Sequence, residues 1–390
     1  MMDYKVKITT LTPIHIGTGT ELLVGYDLKS DEQEKKTYRL NVDAILEDAI
    51  TGDNPHLDRR MLNLKPAELV ELPELHQKPD FSIYTLKGVP QSGVVKEQIK
   101  TVWGKLYLPG STLKGAFRTI IARSIAKDDA VRGRLRVKRG GPKSAADDIE
   151  KVLFGDDPNS RSSFRSPNFD LLRAMQVSDS EPVDAAPQLI NVSVLKGSTV
   201  QAPIDLEAIP RGVTFEATIH LDDYLFKETR RVVQGPYGQK ISPVEKLGWE
   251  KFQTKWLYNL PVAGRNISRQ RFTMEKAYYQ ANGLTRFVQI YDAWLGALAN
   301  LKGTQTFFLQ VGWGGGWENK TMGRNLLASN DQEFAELRND FNLGKPPQFR
   351  GHWRAKPDDV FPSSRRVRVN ANKQPLDPLG WVEVTLEKIK

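Results

Sequence analysis

The chain contains no cysteine. Disulfides, thiolate metal ligands and cysteine nucleophiles are therefore excluded, and a reducing compartment suits it. Long apolar runs are missing too. No segment approaches the roughly 20 consecutive apolar residues that a membrane-spanning helix needs. The opening stretch "MMDYKVKITTLTP" alternates apolar and polar residues where a secretion signal requires an unbroken apolar core. A cytoplasmic location with no membrane partner is the expectation. Histidine is scarce: His15, His56, His76, His220 and His352 are scattered and form no H-E-x-x-H or His-x-His pair, so no metal site is expected. The serine elbow G-x-S-x-G is also absent.

What remains is a chain long enough for two or three ordinary domains: 390 residues, 39% apolar and 26% charged, with 30 glycines and 23 prolines. That composition folds, with many loops. A net charge of +9 favours a polyanionic partner.

Periodicity predicts strands at Tyr4–Leu11, Thr37–Asn41, Leu106–Pro109, Ala174–Ser178, Val192–Val194, Val213–Leu221, Gln305–Val311 and Trp381–Leu386. Helices are predicted at Val42–Ile50, after Pro109, at Ala146–Phe154, Leu247–Leu257 and Leu284–Leu301, near Lys320–Leu327 and at Glu333–Phe341. In the helix after Pro109, Leu113, Phe117, Ile120, Ile121 and Ile125 share a face, and Ser111 or Thr112 stands where a cap is needed. The irregular mixture points to α+β domains on antiparallel sheets, not a doubly wound parallel sheet. Residues 127–170 are polar, basic and glycine-bearing, and read as an exposed insertion; "VVQGPYGQKISP" reads as a seam.

Two glycine-bearing segments occupy similar contexts, "YLPGSTLKGAFRT" and "QVGWGGGWENKTMGR". In each, residues without Cβ precede a lysine or arginine, so backbone amides can approach a phosphate with a cation nearby. Nucleotide fingerprints fail on spacing. Gly312 and Gly314 start a G-x-G-x-x-G that ends on Trp317, and Gly110 and Gly115 have the P-loop interval but are followed by Ala116 and Phe117. No cofactor is expected. Trp313 and Trp317 beside glycines and cations could instead stack on unpaired bases or fill a core. Arg132, Arg134, Arg136, Lys138, Arg139 and Lys143 form a basic run whose first members alternate, as they would along an extended ribbon. His15, beside the Gly17-Thr18-Gly19 turn, is the one histidine placed to act as a general base, or else to pack and hydrogen-bond.

Taken together, "LTPIHIGTGTEL", "YLPGSTLKGAFRT", "MQVSDS", "LEAIPRGVTFEATI" and "GWGGGWENKTMG" resemble the successive signatures of the RAMP superfamily of CRISPR proteins. The terminal "FPSSRRV" with "PLGWVEVTL" is similar to the end of the Csm-type subunit that caps the guide-RNA (crRNA) 3′ end in type III-A complexes. The resemblance implies tandem ferredoxin-like (RRM-type) domains with long loop insertions, at residues 1–232 and 233–390. It implies guide RNA, the backbone subunits and visiting host nucleases as partners. Carried onto this chain, the RNA-binding residues are His15, Gly17, Thr18 and Gly19; Gly110, Ser111, Thr112, Lys114, Gly115 and Arg118; and Gly312, Trp313, Gly314, Gly315, Gly316, Trp317, Lys320, Thr321 and Arg324. Lys114, Arg118 and Lys320 are the expected phosphate contacts. Backbone subunits of such complexes cut target RNA with an aspartate in an Asp-Ser-Pro context. Asp27 lies in the corresponding region, "ELLVGYDLKSDEQEKK", without that context, so slicing does not transfer. The expected role is noncatalytic; the rivals are a metal-independent endoribonuclease using His15 and a protein-only scaffold.

Overall fold

The computed structural model describes residues 2–51, 64–138, 145–155, 170–222, 233–234, 238, 240–241, 251–328, 330–346 and 353–389. Its first sheet is five-stranded, in the order Thr306–Gln310, Trp381–Lys388, Met2–Thr10, Thr214–Leu221, Met175–Val177, with every neighbouring pair antiparallel. Met2–Thr10 lies at the centre because its alternation puts Val6 and Ile8, both fully buried, on one face. Against this sheet pack Gly110–Ile125 and Leu260–Ala281, and the buried residues of all three form the largest core cluster. Gly264 lets the second helix come close. A Cβ there would collide with the Phe307 ring, so only glycine allows the approach.

The second sheet runs Gly17–Leu23, Val94–Gln98, Thr199–Ala208, Gln188–Lys196, Ser82–Lys87, Lys36–Leu40, Leu28–Asp31, with the hairpin of Ser364–Val369 and Pro375–Pro378 joined to Gln188–Lys196. An aromatic core of Phe272, Tyr279, Tyr291 and Trp381, with Phe272 and Trp381 ring centroids 4.8 Å apart, fills the space under Leu260–Ala281 and Thr285–Asn300. The fold is mixed α+β, as expected.

Several details depart from expectation. Leu106–Pro109 forms only isolated bridges from Leu106 to Lys100 and Val183. Arg132 ends a short helix, Asp129–Arg132, because Asp128 caps it by accepting from the Ala130 and Val131 amides; the alternating basic ribbon is therefore absent there. Residues of the supposed exposed insertion reach the core: Val131, Ile149, Leu153 and Phe154 are buried. Arg139 and Lys143 lie outside the described residues, as does most of the "VVQGPYGQKISP" seam. The first sheet takes strands from both sides of the expected boundary at 232/233, since Trp381–Lys388 pairs with Met2–Thr10 along seven residue pairs. Each strand satisfies its backbone groups on the other, so the two stretches of chain share one sheet. Among the described residues no helix is long and apolar enough to cross a membrane.

Candidate nucleic-acid interface

The three segments singled out above are linked through the glycine loop. Gly312, at φ 72°, turns the chain after Gln310 so that the Trp313 amide donates to the His15 carbonyl at 2.7 Å. A Cβ on Gly312 would strike that same carbonyl oxygen. The N-terminal turn and the glycine loop are thus one unit. On the loop's other side, Gly115 and Arg118 of the glycine helix line a cavity together with Trp317, Lys320 and Thr321.

Arg123 is the tie between helix and loop. Its guanidinium donates to the Glu318 carbonyl and, through Nε at 3.0 Å and Nη2 at 2.9 Å, to the Thr321 carbonyl. Nη2 also lies 3.7 Å from the Glu318 carboxylate. Burial pulls the Arg123 pKa down to about 10; the like charge of Arg271 adds to this and Glu318 opposes it. It stays charged at neutral pH and cross-braces Gly316–Lys320 from beneath.

His15 is buried, not poised. Its Nδ1 lies 2.7 Å from the Glu207 carbonyl oxygen, which makes Nδ1 the protonated nitrogen, and its ring meets Trp313 edge-on at 6.3 Å. Desolvation lowers its pKa, with Lys96 and Lys100 adding and the Glu207 carbonyl opposing. The neutral ring works as a spacer between the turn, the strand Thr199–Ala208 and the loop. Beneath it, the fully buried Glu207 carboxylate accepts from the Tyr84 hydroxyl at 2.7 Å, the Gln98 amide at 3.0 Å and the Lys100 ammonium. A pH consequence follows. The unfolded chain binds a proton at His15 near pH 6.5 while the folded chain resists it, so stability present above that pH is lost as pH falls toward the lowered folded value. Urea unfolding of the parent should lose up to about 1.4 kcal/mol per pH unit more than His15→Gln in that window. Parallel pH profiles for the two proteins would refute it.

The other expected residues divide by what they already hold. The Gly110 amide donates to Asp179 Oδ1 at 2.7 Å, and a Cβ there would collide with the Val177 and Ser178 backbone; the start of this helix is occupied by a carboxylate of the chain itself. Pro109 is the N-cap residue, and neither Ser111 nor Thr112 caps the helix by its side chain. Arg118 bonds Asp170 at 2.8 and 3.1 Å and Glu150 at 3.3 Å and lies 3.7 Å from the Phe154 ring centroid, which binds the insertion to the helix. Arg324 pairs with Asp331. Thr18 bonds Glu97 at 3.1 Å on the surface, and Gly19 at φ 95° faces open space. Gly314 and Gly316 supply positive φ in the loop, while Gly315 lies against Asn319. Trp317 packs on Phe334 and Phe361, and Trp313 packs among Ile190, Val192, Leu206 and Leu379 beneath the Arg366 guanidinium. Lys114, half-buried with its pKa lowered by desolvation and then by Arg118, and Lys320, exposed, have no acidic partner among the described residues. In the basic run, Arg136 bonds the Leu135 carbonyl at 2.7 Å and shares a cavity with Arg132, next to Glu333 and Asp340, while Arg134 is exposed and Lys138 half-buried. Asp27 is spent on the Leu23 amide at 2.8 Å and Arg39 at 2.9 Å.

The chain matches the family described as RAMPs, the RAMP superfamily, over residues 7–319. The chain belongs to that superfamily. It is 24% identical over 414 aligned positions, covering 98% of its length and 88% of the relative, to "CRISPR system Cms protein Csm5" of Methanocaldococcus jannaschii. Among solved structures it resembles a chain of a Csm–crRNA–target RNA ternary complex of a type III-A CRISPR-Cas system, at 26% identity and TM-score 0.67, covering 99% of this chain and all of that one. A crystal structure of T. onnurineus Csm5 shares the fold at 24% identity and TM-score 0.60, covering 96% and 99%. The Csm-type resemblance carried by the terminal segments therefore extends along this whole RAMP chain.

Proposed function

We propose that the chain is an RNA-binding subunit of a type III-A CRISPR ribonucleoprotein, without chemistry of its own, that holds the 3′ part of the guide RNA and ends the backbone filament. The observation that carries this reading is that the Gly312–Gly323 loop joins the His15–Gly19 turn on one side and the glycine helix on the other. The relatives point the same way: one is a Csm5, and another comes from a complex of Csm proteins with crRNA. Guide RNA and the other Csm subunits are the partners, and trimming of the guide falls to separate nucleases. We read four strands of the first sheet, Met2–Thr10, Met175–Val177, Thr214–Leu221 and Trp381–Lys388, with the helices Gly110–Ile125 and Leu260–Ala281, as one ferredoxin-like unit, β-α-β-β-α-β, composed from both ends of the chain, with Thr306–Gln310 as an added edge strand. The burial of His15 disfavours a nuclease role for it.

Because Arg118 is already paired, the cations left to meet phosphate among the described residues of the glycine helix and the loop are Lys114 and Lys320. The Lys114→Ala, Lys320→Ala double variant should bind single-stranded RNA more weakly at all sequences. Its log K against log salt slope should flatten by about 1.4, roughly 0.7 per lost contact. Filter binding between low and physiological salt measures this; an unaltered slope and affinity would remove the glycine face from the RNA path.

A further inference from the structure

Between the helix Leu260–Ala281 and the glycine loop lies a second cavity of about 320 Å³. Its floor holds two polar side chains that the fold leaves incomplete. Arg271, 4% exposed, gives Nη2 to Glu275 at 3.1 Å, but its Nε and Nη1 have no partner; Gln310, 8% exposed, gives its amide nitrogen to the Leu379 carbonyl at 2.8 Å, but its Oε1 has none. Buried donors and acceptors of this kind are rarely left unmet, because each loses its hydration without replacement.

The charges around the cavity are also unbalanced. Arg271, Arg365 and Arg366 line it against two carboxylates, Glu275 and Glu318. Glu275 is taken up by Arg271 Nη2 and by Arg365 Nε at 2.7 Å, and Glu318 faces Arg123. What is left over is two guanidinium nitrogens of Arg271, Nε and Nη1, and the exposed Arg366. An anion answers these. Gln310 Oε1 asks in addition for a donor, which a hydroxyl or a base N–H supplies and a fully ionised phosphate does not. Trp317 and Phe361, 5.1 Å apart, give the wall aromatic surface, and glycines at 314–316 leave room beside them.

We propose that this cavity is a mononucleotide site. The phosphoryl group lies against Arg271 and Arg366, and the sugar or base donates to Gln310. A volume of 320 Å³ is at the small end of ligand pockets and matches one nucleotide. A free nucleoside monophosphate and one nucleotide of a strand present the same chemistry, and the site's unmet groups, Arg271 and Gln310, are not among those the RNA reading uses.

Isothermal titration of the full chain with AMP, UMP, inorganic phosphate and uridine tests it. Saturable heat is expected for the monophosphates, with phosphate weaker and uridine silent. Arg271→Gln, which keeps a donor for Glu275, and the surface change Arg366→Ala should each weaken the monophosphate by about tenfold, the loss of charge-assisted hydrogen bonds. Displacement by an oligoribonucleotide carrying a terminal phosphate, but not by one with hydroxyl ends, assigns the nucleotide to a strand end; displacement by neither assigns it to the free pool. No saturable heat with AMP or UMP overturns the site, as do equal affinities for phosphate and monophosphate or unchanged affinity in both variants. RNA retention without mononucleotide binding would sink this proposal alone, and the reverse pattern would sink the RNA reading alone.

Discussion

Replacing Arg123 with methionine is expected to lower stability by about 3–5 kcal/mol and to loosen the glycine loop, the largest single effect we foresee on this face. The side chain is the hydrogen-bonded strut between the glycine helix and the loop among the described residues, and both it and Glu318 are about 95% shielded, at 5% and 6% side-chain exposure. Removing it leaves three orphans: the Glu318 carboxylate and the carbonyls of Glu318 and Thr321. Arg123→Lys should recover part of the loss, since an ammonium keeps the charge but cannot span both carbonyls from two nitrogens. Chemical denaturation gives the magnitude, and hydrogen exchange at residues 316–323 gives the place. Equal stability in Arg123→Met and the parent would mean that Gly316–Lys320 is held by Trp317 in its aromatic nest and not from below.

How much of this was readable beforehand depends on whether burial follows periodicity. The strand Met2–Thr10 and the helix Gly110–Ile125 bury what their apolar spacing says they should, and both were legible. Leu260–Ala281 was not. Over 22 residues it carries Arg265, Asn266, Ser268, Arg269, Gln270 and Arg271, and it buries Ser268 against the Phe308 carbonyl, Glu275 between Arg271 and Arg365, and Arg271 with only its Nη2 partnered. Thr199–Ala208 was missed for a related reason. Pro203 and two acids interrupt its pattern, yet Asp205 is buried because the Gln91 and Ser92 amides and Asn191 donate to it. Glycines were read in the right places but with the wrong uniformity. Gly312 is needed to let the loop reach His15, whereas Gly110 serves close packing against Ser178. Arg123 lies off the apolar stripe of its own helix, so no spacing signal marks it, and its partners are nearly 200 residues away.

The second large effect belongs to Lys100. Its ammonium, 6% exposed, is the only cation on the fully buried Glu207 carboxylate among the described residues, and it also sits 4.6 Å from the Tyr84 ring centroid. Lys100→Met preserves most of the aliphatic stem but removes the ammonium from the Tyr84 ring and strands the charge, so a loss of about 3–5 kcal/mol is expected. Glu207→Gln in the same chain should return much of it, because the neutral amide can accept from the Gln98 backbone amide through its oxygen and donate to the Tyr84 hydroxyl oxygen through its nitrogen. The double-mutant cycle should therefore show a coupling of about 1–3 kcal/mol, not additivity. The backbone of Glu207 also anchors His15, and His15 anchors Trp313. Lys100→Met should accordingly raise hydrogen exchange at Trp313 while leaving the helix 285–300 on the far side protected. Additive losses in the cycle, with exchange at Trp313 unaltered, would show that Lys100 does not stabilise through its pairing with Glu207 and that the buried acid does not govern the loop.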